Sequence, residues 1–301
     1  MSRSARPLPS LSARPPARRA ARALRRAAPA LALLAGLAAC APSTQERYAL
    51  LSDAYEQAGL MRAESAPEDA PFDKADLVRN FERIAFYSEF SRSDGRLEVR
   101  RSPVSLVKWQ GDVTWNLEGD GVTEADREAY RVLADRLEAL TGLDFVETDA
   151  RPSVLILIAS AELRRDFVQM LRRRGVADRM QLIEEWADND LYPCVGQIGW
   201  FEENGVRQSR AMIVIKEETT GRLRESCIHE ELAQALGLLN DDDRVRPSIF
   251  NDDQEFALLT EHDEYLLRIL YDPRLEAGMT REEGMPIVRE IVEEIGPEDR
   301  S

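Results

Sequence analysis

Apolar and polar positions along the chain change period several times, and each change marks an element. Over 77–90 (LVRNFERIAFYSEF) the sequence becomes more apolar, and a folded domain is expected to begin there. Over 104–109 and 113–117 apolar and polar residues alternate, which predicts two half-buried strands. Thr123, with Asp126 three residues later, predicts a capped helix start. Ala129, Val132, Leu133, Leu137 and Leu140 give that helix one apolar face, and Gly142 ends it. Val154–Ala159 (VLILIA) is apolar throughout, as an interior strand covered on both faces is. Helices are predicted over 161–174 and 180–187, then two strands over 195–201 and 211–216 joined around Asn204-Gly205. Helices over 222–238 and 255–271 follow, and Thr280-x-x-Glu283 is a capping box opening a last helix that reaches Ile295. Strands and helices mixed within one unit predict an α+β fold.

The N-terminus has a different character. Residues 1–39 hold eight arginines and no acidic residue, and 27–39 is a short apolar run ending in Leu37-Ala38-Ala39-Cys40. A basic region, a short apolar core and a small-residue cleavage site make an export signal. The run is shorter than the roughly 20 apolar residues a membrane span needs. Leu-Ala-Ala-Cys resembles the lipobox of bacterial lipoproteins, which implies cleavage before Cys40 and lipid attachment to it; an ordinary signal peptide with an accidental Cys is the alternative. The charged region is long, which leaves room for a translation start downstream of Met1. Ala41 is not the aspartate that commonly keeps lipoproteins at the inner membrane, so the outer membrane is the favoured destination. Residues 40–76, rich in Ala, Ser, Pro and Glu, read as a flexible tether with a short helix over 48–58. A single domain is then expected over 77–301.

Charge and cysteines agree with export. Without the eight arginines of 1–39, 32 of the 40 basic residues remain against 55 acidic ones, a balance near −23. Such a surface repels nucleic acid and anionic membranes. Membrane contact is therefore expected through lipid on Cys40, and stable anchoring takes more than one acyl chain, which the lipoprotein resemblance supplies. Cys194 and Cys227 remain as an even pair, which an oxidising compartment would join, stabilising the fold by roughly 3–4 kcal/mol. Two buried free thiols are the alternative.

The densest candidate chemistry lies over 230–241, EELAQALGLLND. Its spacing resembles the metzincin zinc-peptidase pattern H-E-x-x-H-x-x-G-x-x-H. Glu231 takes the position of the general base and Gly237 that of the turn. Glu230, Gln234 and Asn240 stand where the three histidine ligands would be. Glu230 and Gln234 are one helical turn apart and share a face, as two ligands of one ion must. Starting the pattern at His229 fails, because the second ligand would be Ala233 and His229 points about 140° away from Gln234. Zinc in peptidases prefers imidazole and thiolate, and the chain has only His229 and His262. One carboxylate with two amide oxygens suits zinc poorly and is thin for calcium, which takes six to eight oxygens. No cofactor is therefore expected. An alternative reading makes Ile228, Leu232, Ala235, Leu236 and Leu239 a buried stripe, with Glu230, Glu231 and Gln234 on a solvated face.

The order of strands, backing helix, edge strand and site helix also resembles the upper subdomain of a metzincin. The Cys227-bearing helix, Ser248-Ile249-Phe250-Asn251-Asp252 and the stretch from Leu266 to Pro273 further resemble a bacterial envelope family known as domain of unknown function 2927, over about 77–295. That resemblance implies an exported protein or lipoprotein with a peptidase-like core and no established reaction. Met279, which follows a glycine, is a candidate counterpart of the metzincin Met-turn, with an ordinary loop methionine as the alternative. The acidic residues Asp241, Asp242, Asp243, Asp252, Asp253 and Glu255, together with Asn251, lack the spacing of an EF-hand and read as solvated surface, with a site for a cation such as calcium as the alternative. The expected function is non-catalytic binding of a peptide, glycan or protein at a peptidase-like cleft in the envelope, facing the periplasm. A hydrolase using Glu231 as base with unusual metal ligands is the first alternative, and a purely structural lipoprotein the second.

Overall fold

The computed structural model describes residues 42–93, 96–176, 180–203, 206–251 and 253–298. The elements follow in the order α1 (Thr44–Gln57), α2 (Lys74–Ala85), β1 (Tyr87–Ser93), β2 (Arg96–Pro103), β3 (Val113–Glu118), α3 (Glu124–Thr141), β4 (Phe145–Glu147) and β5 (Val154–Ala159). After these come α4 (Ala161–Arg173), α5 (Gln181–Asp188), β6 (Cys194–Glu203), β7 (Val206–Lys216), α6 (Gly221–Ala235), α7 (Glu261–Tyr271) and α8 (Arg281–Ile295). The export signal and Cys40 lie outside the described residues, as do Asn204, Gly205 and Asp252.

Five strands form one mixed sheet in the order β4-β3-β5-β7-β6. The first four run parallel, and β6 pairs antiparallel with β7 as the edge, from Cys194 opposite Ile215 to Glu203 opposite Val206. The apolar run of β5 places it at the centre. Its Ile156 and Ile158 enter the main core, while Leu157 and Ala159 enter a second core with Ile183, Trp186 and Val214. A strand with side chains buried on both faces needs helices on both faces. Here α2, α3, α6, α7 and α8 supply residues to the main core, and α4 and α5 to the second. The fold class is α+β, as expected.

Local chemistry sets several boundaries where the sequence placed them. Thr123 and Asp126 form a reciprocal capping box and Gly142 closes α3 in the left-handed region at φ 70°. Thr280 and Glu283 do the same at the start of α8. Other boundaries move. Residues 104–109 do not form a strand. Their backbone bonds to turns instead, with Val104 N–H donating to Phe86 O and Leu106 N–H to Met279 O. The hairpin of β1 and β2 over 87–103 takes the place of that strand. Val132 is 59% exposed, and Tyr130 replaces it on the buried face of α3. The helix expected from 255 begins at Glu261, because Thr260 caps it with Asp263.

The tether expected over 40–76 gives way for its larger part, and the unit that holds the domain begins at Thr44. Tyr48 on α1 is buried and its hydroxyl donates to Asp190 O at 2.9 Å. Arg47 pairs with the Asp190 carboxylate. Further on, Met61 N–H donates to Gln254 O and Arg62 N–H to Glu255 O, both at 2.8 Å. Besides these polar contacts, Tyr48 and Met61 pack with Leu223 and Ala257, and Ala70 enters the main core; such isolated apolar positions carry no period to betray the segment.

Candidate functional site

The site helix α6 leaves the β6–β7 hairpin through a short turn and returns beside the edge strand. A disulfide between Cys194, the first residue of β6, and Cys227 on α6 ties the two together, with Cα atoms 5.9 Å apart. One turn further along the helix, Glu231 faces Gly196 of β6. The strand approaches so closely that a Cβ on Gly196 would lie 2.6 Å from Glu231 Oε2. A Cβ at Gly196 would force the Glu231 carboxyl to move, and a glycine inside a strand is the signal by which such an approach can be read.

Glu231 is 6% exposed, and its Oε2 has no hydrogen-bond partner. Burial raises its pKa well above the ordinary glutamate value, the negative charges of Asp241 and Glu89 raise it further, and the Gly196 N–H opposes them. Burial against β6 thus favours the protonated form of this carboxyl group. The stacked pair Trp115–Tyr130 carries two more buried polar atoms without partners, Trp115 Nε1 and the Tyr130 hydroxyl. The Tyr130 pKa is likewise raised by burial, and next by the Glu231 charge.

Outside Gly196 lies a cleft of about 190 Å³ along β6. Glu89, Gln197, Ile198, Gln234 and Leu239 are among its walls. Of the sequence-derived candidates only Gln234 is among its lining, and its amide donates to Asp241 Oδ1 at 3.0 Å; Glu231 lies behind Gly196. Glu230 is half-buried on the same helix. Asn240 is 1% exposed and its amide is spent on Arg83 O at 2.9 Å and Asp241 O at 2.8 Å. The solvated-face reading fails for Glu231, which is buried.

Gly237 ends α6 where the pattern required. Its φ is +120°, and a Cβ there would stand 1.9 Å from Val107 O. Met279 does not line the cleft. It sits half-buried in the turn before α8, with its carbonyl accepting from Leu106 N–H at 2.8 Å. His229 points away from Gln234, as the helical geometry predicted, and its Nδ1 accepts from Leu259 N–H at 3.2 Å. Burial pushes its pKa down to about 4, helped by the charges of Arg136 and Arg222.

Zinc fits these residues poorly, since the three ligand positions hold one carboxylate and two amides, where zinc in peptidases prefers imidazole and thiolate. Among the described residues no group of three or more His, Cys, Asp or Glu side chains is arranged to hold a metal ion. In the acidic stretch, Asp242 is paired with Arg244, and Glu255 with Arg62 and Arg246. Glu89, Gly196 and Gln197 were missed by sequence reasoning. They enter the site through tertiary contact, and of the three only the strand glycine left a sign.

The fold and site define a class: an α+β domain with a mixed sheet, whose antiparallel edge strand and neighbouring helix enclose a cleft over a buried carboxyl. The chain belongs to the family described as "Protein of unknown function (DUF2927)", whose model matches residues 74–290. No curated protein matches the chain.

Proposed function

We propose that this is an exported, lipid-anchored bacterial envelope protein. Its metallopeptidase-like domain binds an extended peptide or protein segment along β6 and does not cleave it. The observation that carries this reading is the state of Glu231. A peptidase base must be ionised beside a metal-bound water, whereas this carboxyl is buried against a glycine, where desolvation and the nearby charges of Asp241 and Glu89 favour its protonated form. The want of imidazole at the ligand positions Glu230, Gln234 and Asn240 supports it.

Likeness to a metzincin is supported by the mixed five-stranded sheet with its antiparallel edge strand, followed directly by the site helix and its glycine turn. Export is supported by residues 1–40 and by the Cys194–Cys227 disulfide, a bond that persists in oxidising compartments. No helix among the described residues is long and apolar enough to cross a membrane, and lipid on Cys40 would supply the anchor, with the outer membrane as its favoured site.

The test is metal analysis of the chain purified without chelator, together with activity of a Glu231→Gln variant in the cell. Metal far below one ion per chain and full function of the variant are expected. Stoichiometric zinc, or a variant as defective as a deletion, overturns the non-catalytic reading. Cys40→Ser is expected to leave the membrane fraction, and its retention there overturns the anchor.

A further inference from the structure

Three of the seven large apolar side chains that stay exposed among the described residues belong to α1 and its contact: Leu50, Leu51 and Leu191, the last 83% exposed. Single surface leucines are ordinary, but grouped ones mark contact surfaces. At about 100° per residue, Arg47, Leu50, Leu51 and Ala54 fall within one arc of about 100° on α1, while Glu46, Asp53 and Glu56 fall on another flank. Tyr48 and Ser52 are the residues that α1 buries. Asp190 is bound to α1 by its pair with Arg47, by the Thr44 hydroxyl at 3.2 Å and by the Tyr48 hydroxyl on its carbonyl, and Leu191 is the next residue. The result is a flank that carries leucines, pairs its basic residue with Asp190 and turns the acidic residues of the helix elsewhere.

The place of this flank along the chain points to what covers it. Thr44, which opens α1, comes four residues after Cys40, and four residues of fully extended chain reach at most about 14 Å. Lipid on Cys40 would keep the start of α1 within that distance of the headgroups. Leu50 lies six residues into the helix, about 9 Å along its axis. A protein partner would have to compete with the bilayer for a surface held this close to it.

We propose that the flank of Leu50, Leu51 and Leu191 lies in the surface of the anchoring bilayer, with the leucines at the boundary of headgroups and acyl chains. Interfacial helices sink their apolar face about 5–10 Å in this way. The proposal rests on the lipid anchor at Cys40. It gives an acidic protein an apolar contact with the membrane while Glu46, Asp53 and Glu56 keep to water. An acyl anchor alone leaves a domain free to turn over the surface, and this contact holds it in one orientation.

Lipoprotein purified from the membranes of cells making the full chain, reconstituted into phosphatidylcholine vesicles with or without bromine on the acyl chains, tests it. Leu50→Trp and Leu191→Trp are each expected to lose emission in brominated vesicles relative to the parent, whose own tryptophans set the background. Val132→Trp, at a similarly exposed position on α3, is expected to match the parent. All three positions are exposed, so the urea midpoint should not move. The mass of the N-terminal peptide reports lipid on Cys40 and separates the two readings. A chain without lipid overturns the anchor and this proposal together. A lipidated chain in which either Leu50→Trp or Leu191→Trp is quenched no more than Val132→Trp overturns this proposal and leaves the anchor standing. A lipoprotein that is dimeric in detergent, and becomes monomeric when Leu50→Ser and Leu191→Ser are combined, gives the flank to a second copy and also overturns it.

Discussion

Glu231→Gln removes one buried titrating proton and keeps the shape of the side chain, so its effect on stability can be worked out from linkage. In the unfolded chain a glutamate ionises near pH 4.3. In the fold its pKa is raised well above the ordinary value by burial and by Asp241 and Glu89. Between those two pKa values the native protein holds a proton that the unfolded chain has lost. The stabilisation tied to that proton is fully present below the unfolded pKa and is lost as pH rises towards the folded one. Loss of one proton on unfolding sets the slope at about 1.4 kcal/mol per pH unit. The glutamine variant cannot titrate. Its stability minus that of the parent should therefore climb by about 1.4 kcal/mol per unit from roughly pH 5 upward and level off above the folded pKa. His229 titrates in the acid part of the range, but it is common to both proteins and cancels in the difference. Urea unfolding of both proteins at pH 5, 6 and 7, with matched m-values, measures it. A difference that stays flat across those pH values refutes the buried, protonated carboxyl, and with it the main support for a non-catalytic cleft.

Two further outcomes follow from named contacts. Cys194→Ser with Cys227→Ser opens a loop of sequence separation 33, which should cost about 4 kcal/mol on the chain-entropy estimate, read as a lower urea midpoint that reductant no longer changes; an unaltered midpoint refutes the pairing. Tyr48→Phe removes the hydroxyl that donates to Asp190 O and should cost about 1 kcal/mol while exposing the 44–57 segment to limited proteolysis; cleavage of the parent there at the same rate would mean that α1 is not docked.

Much of the frame was legible because it depends on local chemistry. Capping boxes at Thr123 and Thr280 and the continuous apolar run of β5 are short-range statements, and short-range physics decides them. The shift of α7 to Glu261 was missed although its cause, Thr260 with Asp263, is equally local. The failure over 104–109 has another origin. Alternation there reflects Leu106 and Trp109 entering the core from a backbone whose partners, Phe86 and Met279, are far away in sequence.

At the site the division is sharper. By itself the sequence determined the helix, its glycine turn at Gly237, the facing of His229 away from Gln234 and the want of imidazoles at the ligand positions, since each follows from residue type and the 3.6-residue period. Tertiary structure alone decided that Glu231 is buried against Gly196, that Glu89 and Asp241 bear on its proton, and that Asn240 turns its amide to Arg83 O. A helical pattern states which side chains share a face, but not whether that face meets water or a strand. Solvation sets the charge of a carboxyl, and only the packing of β6 on α6 settles how much water Glu231 keeps.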